Sequence, residues 1–408
     1  MSEQKSEQNQ KICILGGGFG GLYTALRLSQ MPWQGISKPE ITLVDQHDRF
    51  VFLPLLYELL TGELQTWEIA PPYAELLANT GIRFHQAVVE GINIMDKQVR
   101  LSSVGGNSSS NITELPYDRL VLALGGETPL DMAPGVAEHA LPFRTVNHAY
   151  QLAERLSIFE ESSQDKLRVA IIGAGYSGVE LACKLADRLG DRGRIRLVEL
   201  SDTILRASPE FNREAAKKAL EAKKVWIDLE TGVAKVTADT LDLNYKGQID
   251  TIPTDLVLWT VGTQVAAVVK SLPLSHNTRG QLTTTNTLQA LEHPEIYALG
   301  DLADCKDANG QQIPTTAQAA FQQADYVGWN LWADLTDRPI LPFRYQNLGE
   351  MMTLGKDNAT LAGLGITLEG NLAHVVRRLA YLSRMPTLEH QLKVGVSWIA
   401  KPLLDLVN

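Results

Sequence analysis

The chain has 408 residues, 44% of them hydrophobic and 21% charged, with 37 Lys and Arg against 47 Asp and Glu. That length fits about two to three domains at roughly 150 residues each, and the composition excludes a disordered chain, a collagen and a disulfide scaffold. The net charge of −10 argues against a nucleic-acid partner. Cys13, Cys183 and Cys305 are far apart and form no CxxC pair, so neither a metal site nor a vicinal redox disulfide is read. No uncharged apolar run reaches the roughly 18 residues of a membrane span. The longest candidate, Leu256 to Val269, contains Gly262 and Gln264. The opening MSEQKSEQNQK is polar and lacks the apolar run of a secretory signal, which sets a cytoplasmic, reducing compartment as the expectation.

In chain order, the first apolar run is Lys11-Ile-Cys-Ile-Leu15, read as a buried parallel strand. Glycines follow at once, then a helical pattern. Val99–Ser103 and Tyr117–Leu124 read as strands on either side of Gly105–Asn111, which reads as an exposed hairpin loop. A second strand–glycine–helix unit begins at Arg168-Val-Ala-Ile-Ile172, 157 residues after the first, an internal duplication of one mononucleotide-binding unit. Leu241–Tyr245, Asp255–Val261 and Ile296–Leu299 read as further strands, 310–331 as a loop entering a helix, and 371–404 as helical. The fold expected is α/β: two Rossmann-like dinucleotide-binding domains and a C-terminal amphipathic helical region. The boundaries read are 10–145 with 265–345, then 146–264, then 346–408.

The first glycine run satisfies GxGxxG at Gly16, Gly18 and Gly21. Such glycines permit a tight turn and close backbone approach to a pyrophosphate, and the following helix N-terminus supplies donors and a favourable dipole. Asp45 closes the next strand, Ile41–Asp45, where an acid binds a ribose hydroxyl. The second run repeats this at Gly173, Gly175 and Gly178, with Glu199 closing Ile195–Glu199. Two dinucleotide folds in one chain point to FAD at one and a nicotinamide nucleotide at the other, hence hydride transfer from NAD(P)H to flavin. Ile296–Asp301 ends in Gly-Asp, where Asp301 can accept a hydrogen bond from a flavin ribityl chain. Leu120–Gly125 and Trp259–Gly262 read as the crossings between the two domains.

These residues resemble the two-dinucleotide-binding-domain flavoproteins and, over nearly the whole chain, the type II NAD(P)H:quinone oxidoreductases. The discriminating piece is Ala317-Gln-Ala-Ala-Phe-Gln322. A spacing of four puts Gln318 and Gln322 on one helix face; taken alone, the pair also reads as two solvent-facing glutamines. The resemblance implies that both glutamines, with Ala317, lie near the flavin and line a quinone site. It implies that Glu180 organises the nicotinamide–flavin contact or assists proton supply; its plainer reading is a first-turn acid meeting the helix dipole. It also implies that Pro54 and Leu55, in Phe52–Tyr57, pack beside the flavin ring. Tyr57–Gly62, Gln65–Pro72, Val257–Thr263, Ile313–Gln318 and Tyr345–Met351 are most similar to the cyanobacterial and plastid branch, the demethylphylloquinone reductases. That implies reduction of a prenylated naphthoquinone in phylloquinone synthesis, with plastoquinone as a further acceptor, and it favours NADPH. Glu199 by itself predicts NADH, since it should repel a 2′-phosphate. Arg192, Arg194, Arg196 and Arg206 lie near enough in sequence to offset it, so both nucleotides stay open.

Residues 371–408 carry five Lys and Arg against two Asp and Glu, a basic tail on an acidic chain. Leu372, Val375, Val376 and Leu379 recur at helical spacing, flanked by Arg377, Arg378 and Arg384. Leu392, Val396, Ile399 and Leu403 follow, with Trp398, Lys393 and Lys401 nearby. A basic amphipathic segment with an interfacial Trp predicts a monotopic anchor, as the resemblance also implies; the plainer reading is helices packed on the body or on a partner subunit. The expected place is the cytoplasmic side of a thylakoid or plasma membrane, and a homodimer is among the assemblies the resemblance allows. A sulfide:quinone oxidoreductase or disulfide reductase needs cooperating cysteines, and only Cys305 is positioned to approach a flavin. The alternatives carried forward are a reductase of a small electron-transfer protein and a flavin redox sensor.

Overall fold

The computed structural model describes residues 9–34, 37–105 and 112–405, with side chains described as far as residue 400. The sequons and most of the expected hairpin loop at 105–111 lie outside the described residues, as do the side chains of Lys401 and Leu403. The chain forms two compact units, one of Met1–Phe50, Pro71–Glu127 and Thr263–Gln346, the other of Val51–Ala70, Thr128–Gly262 and Asn347–Asn408.

The first unit is built on a seven-stranded sheet in the order Ile296–Ala298, Arg119–Leu122, Lys11–Leu15, Glu40–Asp45, Arg83–Asn93, Gln98–Ser103, Ile112–Pro116. The first five strands run parallel and the last two add antiparallel pairs. Lys11–Leu15 sits at the centre, and Ile12 through Leu15 are buried, as a strand covered on both faces must be. The helices Phe19–Ser29 and Ala317–Leu335 pack against each other. Gly328 allows the approach, since a Cβ there would press into the stem of Arg27. Thr24 bonds both helices, its Oγ donating to Gly20 O at 2.8 Å and Ala324 O at 3.5 Å.

One expectation is corrected here. The hairpin partner of Gln98–Ser103 is Ile112–Pro116, not Tyr117–Leu124. Ile112–Pro116 is an edge strand, almost wholly exposed, and Thr113 and Glu114 break its apolar run. Arg119–Leu122 instead runs parallel between Lys11–Leu15 and Ile296–Ala298.

The second unit repeats the arrangement in a five-stranded parallel sheet, ordered Trp226–Asp228, Gly193–Val198, Leu167–Ile172, Leu256–Trp259, Ala140–Pro142. In both sheets the strand before the glycines lies between the strand that ends in the acid and a strand from later in the chain. Two antiparallel three-stranded sheets are added, 231–253 and 350–369. The helices Gly370–Leu382 and Leu388–Asp405 close the unit. Among the described residues no helix is long and apolar enough to cross a membrane. Replacing Gly328 by Val should cost about 1–3 kcal/mol through overpacking against Arg27, read as a lower urea midpoint with unchanged slope.

Candidate functional site

The two glycine turns match bond for bond. Gly16 N donates to Val44 O and Gly173 N to Val198 O, each at 2.8 Å. Both glycines have φ +99°, which a side chain would strain. A Cβ on Gly21 would collide with Gly16 O, and one on Gly178 with Gly173 O, so each helix starts in backbone contact with its turn. A Cβ on Gly18 or Gly175 would meet no protein atom, which leaves open space before both helix N-termini. The acids are equivalent too. Asp45 accepts from Gly17 N at 2.6 Å and His47 N at 2.8 Å; Glu199 accepts from Ala174 N and Ser201 N, both at 2.8 Å. Each carboxylate therefore pins the second residue of its own glycine turn and keeps lone pairs for a further donor.

Gly125 and Gly262, with φ +68° and +78°, end equivalent strands of the two sheets. Asp301 follows Gly300 at the end of Ile296–Ala298, and Gly300 N donates to Gln323 Oε1 at 2.9 Å. Gln323, buried and next to the glutamine singled out from the sequence, was not foreseen. Gln318 and Gln322 both turn to the segment 345–346. Tyr345 Oη donates to Gln318 Oε1 at 3.1 Å, and the Gln322 amide makes two bonds with the Gln346 backbone, at 2.8 and 3.0 Å.

In the second unit a buried charged cluster surrounds Glu180. Arg377, wholly buried, donates to Glu58 Oε1 and to Pro54 O, each at 2.6 Å, and lies 3.6 Å from Glu180. Its guanidinium stacks over the Tyr381 ring. Glu180 also accepts from Thr353 N at 2.9 Å. Beside it, buried Lys184 pairs with Glu63, which Arg378 approaches at 3.8 Å. Burial opposes the charge on Glu58, but Arg377 and Lys184 outweigh it and hold the carboxyl below its usual range. For Glu180 burial wins: despite Arg377 and the Thr353 N–H, its carboxyl is pushed up to about 7. One carboxyl of the pair is thus held ionised and the other is poised to bind a proton near neutrality.

Neither Glu58 nor Arg377 was picked out as a site residue. Their separation of 319 residues gives no local signal. Arg377 and Arg378 were expected to flank an outward apolar face; instead Arg377 points inward and Arg378 lies over Trp398 at 5.2 Å. The cause is that the first C-terminal helix is inverted. Ala373, His374 and Arg377 are buried, while Leu372, Val375 and Leu379 are exposed. Leu388, Leu392, Val396 and Ile399 extend the exposed apolar set, and the exposed tryptophan beside Leu392, Lys393 and Val396 is Trp67 rather than the half-buried Trp398. The three thiols are buried, and burial raises Cys183 to about 12 and Cys305 to about 11, so none is a ready thiolate.

Residues 10–324 match the family model described as pyridine nucleotide-disulphide oxidoreductase. The chain is 54% identical over 400 residues to demethylphylloquinone reductase NdbB of Synechocystis, covering 98% of each chain. It is 46% identical to the alternative NAD(P)H-ubiquinone oxidoreductase C1 of Arabidopsis thaliana, covering 97% of this chain and 82% of that one. In fold it is similar to NDH2 from Plasmodium falciparum in complex with NADH, with a TM-score of 0.84 at 18% identity, over 96% of this chain and 98% of the other.

The buried pair makes a direct prediction. Arg377→Ala should destabilise the protein by about 3–5 kcal/mol, because it strands a buried carboxylate. The double variant Glu58→Gln/Arg377→Met should recover most of that loss, measured by chemical unfolding.

Proposed function

We propose a function from one premise: the chain belongs to the pyridine nucleotide-disulphide oxidoreductase family and, within it, to the type II NAD(P)H:quinone oxidoreductases. It is an FAD-dependent enzyme that reduces a quinone with two electrons from NAD(P)H. The observation that carries this reading is the duplicated cradle, two glycine turns with open space before the helix and an acid bonded identically at each. The substrate proposed is a prenylated naphthoquinone, demethylphylloquinone, with plastoquinone as a second acceptor, in line with the name of the 54% identical relative.

Gly16, Gly18, Gly21, Asp45, Gly125, Asp301 and Ala317 are assigned to FAD, with Pro54 and Leu55 beside its ring. Gly173, Gly175, Gly178, Glu199 and Gly262 are assigned to the nicotinamide nucleotide. The flavin, when bound, accepts a hydride from NAD(P)H and passes two electrons to the quinone. The chain's own work is positioning and proton supply. The helix N-termini orient the two pyrophosphates, and Asp45 and Glu199 accept from ribose hydroxyls. Gln318 and Gln322, anchored by Tyr345 and Gln346, present amide groups to a quinone carbonyl. Glu180 holds a proton below about pH 7 because burial disfavours its charge, an effect that Arg377 offsets only in part. It is the proposed source of one of the two protons a quinol requires.

A prenylated quinone resides in a bilayer, so the enzyme must meet a membrane surface. The exposed set Leu372, Val375, Leu379, Leu392, Val396 and Ile399 supports monotopic attachment to that surface. Removing the tail would also remove Arg377 from Glu58, so point substitutions are the informative test. Leu372, Leu379, Leu392 and Ile399 changed together to Ser should abolish co-sedimentation with liposomes while flavin reduction by NAD(P)H persists. Retained co-sedimentation would refute attachment through these helices.

The activity is tested by anaerobic stopped-flow on the FAD-loaded protein, with NADPH or NADH first and a prenylated naphthoquinone second. Fast reduction followed by fast reoxidation is expected. Reduction without reoxidation would move the acceptor to an electron-transfer protein or the role to sensing. Reoxidation should slow as pH rises through about 7, where Glu180 loses its proton, and Glu180→Gln should flatten that dependence.

A further inference from the structure

We propose that Glu63, Asp357 and His374 form a binding site for a divalent transition metal, with Zn²⁺ as the fitting ion. None of the three is given a part in quinone reduction above. All three belong to the second unit, and their ligand atoms lie within 4.8 Å of one another. One imidazole and two carboxylates make a mixed nitrogen and oxygen donor set. Such a set suits Zn²⁺ and its neighbours, whereas Mg²⁺ and Ca²⁺ prefer oxygen alone.

His374 carries the inference. It lies on the inward face of the helix Gly370–Leu382 and is only 6% exposed. Its Nδ1 is buried and makes no hydrogen bond among the described residues. Its Nε2 faces Asp357 Oδ1 at 3.9 Å, too far for a hydrogen bond. A buried imidazole is ordinarily satisfied at its polar atoms, and this one is aimed at two carboxylates without bonding either. A metal ion on the ring would supply the missing partner. Ligands at about 2.0–2.1 Å from one ion stand roughly 3.3 Å apart, so binding must draw the group together. The Asp357 side chain, 81% exposed, can make that movement.

The frame around these side chains is fixed. Asp357 sits in the turn between the strands Glu350–Thr353 and Ala359–Gly363, at φ +53°, which Asp and Asn adopt more readily than most residues. Leu354 N donates to Asn358 O at 2.8 Å and Lys356 N to Asp187 Oδ2 at 2.6 Å, which hold the turn in place. Glu63 N donates to Glu58 O at 3.1 Å, and the Glu63 carboxylate accepts from Thr61 and Lys184. Arg378 stands 3.8 Å from its other oxygen. A carboxylate has lone pairs enough to serve an ammonium and a metal together. The cations beside it oppose a further positive charge, so micromolar rather than nanomolar affinity is expected. No local motif marks the site, since its ligands come from three separate segments of the chain.

The experiment uses the untagged, FAD-loaded full chain after chelator treatment. Zn²⁺ and Mg²⁺ are titrated by calorimetry, and Co²⁺ is followed by its visible d–d absorption. Wild type should bind Zn²⁺ with a Kd of about 1–100 µM, and Mg²⁺ in tenfold excess should not displace it. Asp357→Asn keeps a residue suited to the left-handed turn at an exposed position, so it should fold. It should weaken Zn²⁺ about tenfold. His374→Gln should weaken Zn²⁺ at least as much and remove the Co²⁺ bands; if it does not fold, Asp357→Asn decides alone. Zn²⁺ should also raise the urea midpoint of wild type more than that of Asp357→Asn. Zn²⁺ binding weaker than about 1 mM, equal affinity in wild type and Asp357→Asn, or displacement by Mg²⁺ would overturn the proposal.

Discussion

Both units depend on one steric constraint: at each glycine turn a carbonyl occupies the place where a side chain would begin. Gly16 O and Gly173 O lie against Gly21 and Gly178, so each helix starts in contact with the strand that feeds it. This closeness aims the helix N-terminus along the strand. It also brings the second residue of the turn within reach of the acid on the neighbouring strand. The open space before Gly18 and Gly175 is the other half of the same geometry. Anion binding at such a place follows from the orphan donors and the dipole of the helix.

The second unit adds a different device, a neutral knot of buried charge. Glu58, Glu63 and Glu180 face Lys184, Arg377 and Arg378. A buried ion pair contributes little net stability, because desolvation offsets attraction. What the knot provides is a difference between two carboxyls at close quarters. Arg377 lies nearest Glu58 and keeps it charged; Glu180, farther from the guanidinium, is left to titrate near neutrality. Burial raises the proton affinity of Glu180, and the guanidinium bonded to Glu58 offsets that rise only in part.

The cradles were legible in the sequence because their constraint acts on the backbone, and only glycine satisfies it. The closing acids were legible because strand ends are local features. The family resemblance stood on short motifs and agreed with the comparisons. What escaped notice was either polar or distant. Ile112–Pro116 is an exposed edge strand whose apolar residues are interrupted by Thr113 and Glu114. Gln323 was hidden beside Gln322, since helix spacing favoured the four-residue pair. The Glu58–Arg377 contact joins residues that each resemble ordinary surface charges until the fold brings them together. Periodicity did identify the apolar stripe of the first C-terminal helix, but it carries no information about which face is inward.

That inversion has a practical consequence. The first C-terminal helix is held largely by its polar face, through Arg377, while its apolar face makes little contribution to the interior of the unit. A mild detergent competes for exposed apolar surface and leaves buried ion pairs alone. Extraction in such a detergent should therefore coat the outer face without loosening the inner one. The grip also differs in its response to cooling, since apolar burial weakens in the cold while a buried charge pair does not follow that trend. The part of the chain that looks most like a detachable foot is fastened by the least oily contact in it.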